Sequence, residues 1–127
     1  MKQLRQQPLI YYWLPLLAWM GIIFWFSSQP QPFEMPESWQ QELVGKAGHM
    51  IGYAGLSLLW WRALAAHRST SERRVLALAF LLTVLYAVSD EYHQTFVPGR
   101  SGSLMDVLID AAGAGIGLWL LHRWRKR

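Results

Sequence analysis

Four long apolar stretches, a lopsided distribution of lysine and arginine among their connections, and aromatic residues at their ends predict an all-α fold. The class is a polytopic membrane protein, a four-transmembrane-helix bundle with both termini in the cytoplasm, built as a single domain over residues 1–127. More than half of the chain is hydrophobic (53%), and eight tryptophans, five tyrosines and five phenylalanines are enough to line two membrane interfaces.

The first span is residues 9–28, which carry no charge; roughly 20 helical residues cross the ~30 Å hydrocarbon layer. Lys2 and Arg5 precede it as in a signal peptide, but the apolar run is too long and no small-x-small cleavage site follows. The second span is residues 43–66, the third 75–94 and the fourth 104–121. Between them lie residues 29–42, broken by Pro30, Pro32 and Pro36, then 67–74, then 95–103 with Pro98-Gly99. None of these connections is long enough to be a domain.

Orientation follows from the positive charges. Ten of the twelve lysines and arginines lie at the amino end, around the second connection or in the carboxyl tail; Lys46 and Arg100 alone lie on the other side. Lysine and arginine favour the cytoplasmic side, so both ends are placed inside. Tyr11, Tyr12, Trp13, Trp60, Trp61, Trp119 and Trp124 then fall near the inner interface, and Trp25 and Trp39 near the outer. The net charge of +4 is therefore one of membrane anchors that flank apolar stretches, and nucleic acid is not expected as a partner. Without cysteine the chain has no disulfide, thiolate ligand or thiol nucleophile. Gly48-x-x-x-Gly52 and Gly113-x-x-x-Gly117 put small residues one turn apart on the second and fourth helices, and these two faces are expected to pack directly.

The ionisable residues inside the spans gather on the outer side. Lys46, His49 and Tyr53 share a face of the second helix; Asp90, Glu91, His93 and Gln94 close the third; Asp106 and Asp110, one turn apart, open the fourth. Arg100 lies in the loop between the last two groups. Each has an ordinary reading. Ser103-x-x-Asp106 fits a capping box, Lys46 and Arg100 can snorkel, Tyr53 can pack with one hydroxyl partner, and His93 can face the headgroups. Asp90, Glu91 and Asp110 resist such readings, because a short-stemmed carboxylate cannot reach far toward water. A shared, outward-facing polar pocket accounts for all of them.

Lys46-x-x-His49-x-x-x-Tyr53, then Asp90-Glu91-x-x-Gln94-Thr95-Phe96-Val97-Pro98-Gly99-Arg100, then Ser103-x-x-Asp106-x-x-x-Asp110-x-x-Gly113-x-x-x-Gly117, resembles the VanZ-like family of small bacterial membrane proteins over about residues 43–121. The chain departs from the family pattern at Gly45, where an acidic residue is common, and at Asp110, where asparagine is common. The resemblance implies a multi-pass protein of the bacterial inner (plasma) membrane and a link to resistance against the glycopeptide teicoplanin. The family's label of phosphotransbutyrylase finds no soluble acyl-phosphate site here.

The leading functional expectation is a pocket that binds or processes an anionic envelope component, a lipid head group or cell-wall precursor, at the outer leaflet. Lys46, Tyr53, Asp90, Gln94, Arg100 and Ser103 form its binding set, with the amino end of the fourth helix favouring an anion. His49 and Glu91 are the candidate base and acid, oriented by Asp106 or Asp110. Whether a reaction occurs is open, since Ser101 and Ser103 sit where a turn and a cap need them and no nucleophile motif is present. Two other classes stand beside it: a small proton- or substrate-translocating protein, and a non-catalytic membrane scaffold. No cofactor is expected. His49, Glu91, His93 and Asp106 are metal-ligating residue types, but their spacing matches no metal motif, so no metal is assigned. Oligomeric state is not legible.

Overall fold

The computed structural model describes residues 9–28, 39–66, 71–97 and 104–126, and these form four α-helices. They are α1 (Leu9–Ser27), α2 (Trp39–Ala66), α3 (Glu72–Gln94) and α4 (Leu104–Arg125). Three of them, α1, α3 and α4, are long and apolar enough to cross a membrane. The 28-residue α2 is longer still but less apolar, and it packs against all three others. A helix packed against three others can carry the buried Ser57 without exposing it to hydrocarbon.

The helix ends differ from expectation by about a turn. α2 begins at Trp39 rather than at residue 43, and α4 runs to Arg125 rather than stopping at 121. Counting apolar residues alone misses turns that continue past the hydrocarbon edge. α3 begins at Glu72 rather than at 75 because Ser71, in extended conformation, caps it: its Oγ accepts from the Arg74 amide at 3.3 Å.

Packing is inside out relative to a water-soluble bundle. Leu14, Leu17, Ile22, Phe24, Ile51, Leu81, Leu85, Leu108 and Ile116 are exposed, whereas the contact faces are built from small or polar residues. Such an apolar surface suits a hydrocarbon surround. On α3 the buried stripe is Val75, Ala79, Thr83 and Ala87, continuing into Asp90, Glu91 and Gln94; on α4 it is Asp110, Gly113, Ala114, Gly117 and Leu118. Both stripes are small along most of their length and acidic at the same end of the bundle.

α2 and α4 form the most extensive pair, as expected, but through a different face of α2. A Cβ on Gly113 would lie 2.8 Å from the Met50 Cα, and one on Gly117 would lie 3.1 Å from the Ala54 Cβ. The Gly113-x-x-x-Gly117 face therefore packs on Met50 and Ala54. Gly48 and Gly52 have open space around their Cβ positions. The expected pairing of two glycine faces is corrected to one glycine face against a backbone ridge of α2, reinforced by Ser57, whose Oγ lies 2.7 Å from Ala54 O and 3.3 Å from Ala114 O.

α1 fully buries only Leu16 and Ser27, while Tyr12, Trp13, Trp19, Met20 and Ile23 pack partly buried against the core. Leu16 joins Tyr53, Leu56, Ala63 and Ala87 in a small core, and three hydrogen bonds to backbone carbonyls add to this. Trp19 Nε1 donates to Gly52 O at 2.8 Å, and Tyr86 Oη to Met20 O at 2.6 Å. The third concerns Pro15, which lacks the N–H that would bond Tyr11 O one turn earlier. Arg62 Nη1 donates to that carbonyl at 3.3 Å, and its guanidinium lies over the Tyr11 and Tyr12 rings, 4.5 and 5.1 Å from their centroids. A freed carbonyl is costly in a membrane unless it finds a donor, so Arg62 does more than anchor the interface. At this same end Arg125 pairs with Glu72 and lies over the Trp61 ring at 4.9 Å.

Candidate functional site

At the opposite end from Arg62 and Arg125, three helices bring their polar residues together. α2 supplies His49 and Tyr53, one turn apart, with rings stacked at 6.4 Å between centroids. α3 supplies Asp90, Glu91 and Gln94, each no more than 4% exposed. α4 supplies Asp110, which is fully buried. Helical geometry explains the grouping. Residues i and i+4 share a face, so His49 and Tyr53 both look into the bundle, whereas adjacent Asp90 and Glu91 diverge around α3 and reach different neighbours.

Two cross-helix contacts define the site. His49 Nδ1 lies 3.1 Å from Asp110 Oδ1, joining α2 to α4. Tyr53 Oη donates to Asp90 Oδ2 at 3.1 Å, joining α2 to α3. Asp110 Oδ2 and Asp90 Oδ1 are buried without a hydrogen-bond partner among the described residues. Glu91 belongs to the His49–Asp110 side of the cluster: ligand atoms of these three residues all lie within 4.8 Å of one another. The His49 side chain is 34% exposed and is the accessible edge of the group, with Asp110 at its floor. Imidazole, carboxylate and phenol in one half-enclosed site can move a proton, hold a polar ligand or ligate a cation.

Of the sequence-predicted residues, the structure thus assembles His49, Tyr53, Asp90, Glu91 and Asp110, with Gln94 buried one turn beyond Asp90. Lys46 and Asp106 are half-buried, each one turn nearer the helix start than His49 and Asp110. Arg100 and Ser103 lie outside the described residues, so the capping box and the anion contact assigned to them do too. The His93 ring lies tilted against Phe24 of α1, 4.7 Å between centroids, and so makes a packing contact between α3 and α1. Tyr86 was not anticipated. Its ring packs 6.3 Å from that of Tyr53 and its hydroxyl ties α3 to α1, supporting the Tyr53–Asp90 contact from behind. Its position one turn before Asp90 was the only sequence signal.

Residues 12–125 match the VanZ/LLP1 family model. Among curated proteins, an uncharacterized membrane protein of Bacillus subtilis (strain 168), YwnJ, is 34% identical over 89 residues, covering 68% of this chain and 56% of the relative. The chain thus spans little more than half the length of the curated relative it matches. No solved structure matches.

Proposed function

From the premise that this chain belongs to the VanZ/LLP1 family of membrane proteins, we propose that it binds or processes an anionic cell-envelope component, a lipid head group or cell-wall precursor, at the outer leaflet of the plasma membrane. The observation that carries this reading is the convergence of His49, Asp110, Glu91, Tyr53 and Asp90 from three helices at one end of the bundle. Packing alone does not require it. Buried carboxylates at membrane depth are costly, and their gathering at one place supports the reading of a working site. In this reading Lys46 and Arg100 hold the anion, Tyr53 and Gln94 give it polar neighbours, and the His49–Asp110 couple takes or gives a proton, with Glu91 as its acid–base partner. A link to glycopeptide resistance follows if the ligand is a cell-wall precursor.

Translocation is less well supported. Away from the cluster, the buried hydroxyls of Ser57 and Thr83 meet backbone carbonyls, Ser57 those of Ala54 and Ala114 at 2.7 and 3.3 Å and Thr83 that of Ala79 at 2.7 Å. They offer no relay toward the other end.

The test is lipid mass spectrometry on protein purified in mild detergent, read beside glycopeptide susceptibility in cells. Wild-type protein should retain an anionic lipid or lipid-linked precursor that Lys46→Gln, His49→Gln and Arg100→Gln lose. The same lipid complement in all four proteins, with unchanged susceptibility, would sink the reading.

A further inference from the structure

We propose that His49, Glu91 and Asp110 form a binding site for a first-row divalent cation, zinc above all. One residue comes from each of α2, α3 and α4, and their ligand atoms lie within 4.8 Å of one another. A point therefore exists within about 2.8 Å of all three, against ~2.1 Å for a zinc bond to histidine or carboxylate, so small side-chain rotations close the site. The 3.1 Å separation of His49 Nδ1 and Asp110 Oδ1 matches two neighbouring ligands on one ion as well as it matches a hydrogen bond.

A second observation points to a ligand. Asp110 is fully buried, and its Oδ2 has no hydrogen-bond partner among the described residues even though Oδ1 meets His49. A protonated histidine can answer one oxygen of this carboxylate from its position. A divalent ion can bind either oxygen and answers the Asp110 carboxylate in a low-dielectric interior. The donor set of one imidazole and two carboxylates, in a chain without cysteine, suits zinc or manganese and excludes the thiolate sites of copper(I) and iron–sulfur clusters. It is too poor in oxygen ligands for calcium.

Three protein ligands leave a coordination position open, and the exposed edge of His49 gives a path to it. With the ion bound, His49, Glu91 and Asp110 act as its ligands and no longer as proton carriers; an oxygen of the anionic ligand proposed above fits the open position, and the metal site stands without that ligand. A chain that binds zinc and retains no anionic lipid would keep this inference and discard the other.

The experiment uses untagged full-length protein in detergent, stripped with chelator and dialysed against zinc, manganese, magnesium or calcium. Metal content by mass spectrometry should give one equivalent of zinc per chain, with manganese bound more weakly and the other two not retained. Cobalt(II) in place of zinc should give visible d–d absorption of a low-coordinate nitrogen–oxygen site, a readout that needs no variant. Asp110→Asn, Glu91→Gln and His49→Gln should each weaken zinc at least about tenfold. His93→Gln, the control for stray histidine binding, should keep it. No zinc above the buffer blank, or zinc retained equally by all three site variants, overturns the proposal. If a variant fails to fold, the cobalt spectrum and zinc-dependent melting of the wild type decide.

Discussion

Tyr53 and His49 stand one turn apart on α2 yet direct their polar atoms to different helices, Tyr53 to Asp90 on α3 and His49 to Asp110 on α4. Each contact joins a partly polar ring to a carboxylate that water cannot reach freely, so removing one partner costs more than removing both. Tyr53→Phe is expected to lower stability by about 1 kcal/mol in detergent melting, and Asp90→Asn in that background should recover part of the loss. His49→Gln and Asp110→Asn should be non-additive: a double-mutant cycle in metal-free protein should show a coupling of about 0.5–3 kcal/mol. Additive losses would mean the two side chains are neighbours without a shared contact.

The elements are held by unlike means. α4 presses glycines onto the α2 backbone, and the fit leaves no room at Gly113, where an added Cβ would crowd the Met50 backbone. Gly113→Ala should therefore cost about 1–3 kcal/mol through helix displacement, while Gly48→Ala, facing open space, should be neutral or stabilising by up to ~1 kcal/mol because alanine favours helix. Equal melting of the two variants would contradict the packing described. α1 adds polar links to carbonyls to its partly buried aromatic and aliphatic contacts. Arg62→Leu should destabilise its attachment by leaving Tyr11 O without its donor, and Pro15→Ala should offset that loss by restoring the helix's own N–H. Hydrogen exchange along α1 measures both changes, and no rescue by Pro15→Ala would show that Arg62 acts through its aromatic contacts alone.

For the whole molecule the decisive quantity is orientation. Arg62 and Arg125 share one end, and the His49–Asp110 cluster occupies the other. If lysine and arginine mark the cytoplasm, the cluster faces out. Reporter fusions after Glu37 and after Arg127 should read outside and inside respectively. The reverse pattern would put the cluster at the cytoplasmic leaflet and remove cell-wall precursors on the outer face from its reach.

The sequence by itself determined the order of the four described helices, their membrane character and the family, and it named His49, Tyr53, Asp90, Glu91 and Asp110 among its candidates, because each of these depends on local quantities: apolar run length, charge position and spacing along one helix. Tertiary structure decided the pairings. Periodicity shows that Asp90, Glu91 and Asp110 cannot all face lipid, but it cannot say that Asp90 meets Tyr53 while Asp110 meets His49, since that depends on how three helices rotate about their axes. Nor could the glycine pattern of α2 reveal that Gly52 offers its carbonyl to Trp19 while Met50 and Ala54 meet α4. The same limit hid the grouping of the proposed cation ligands. They come singly from three helices and make no motif on any one of them, so the donor set exists only once the bundle closes.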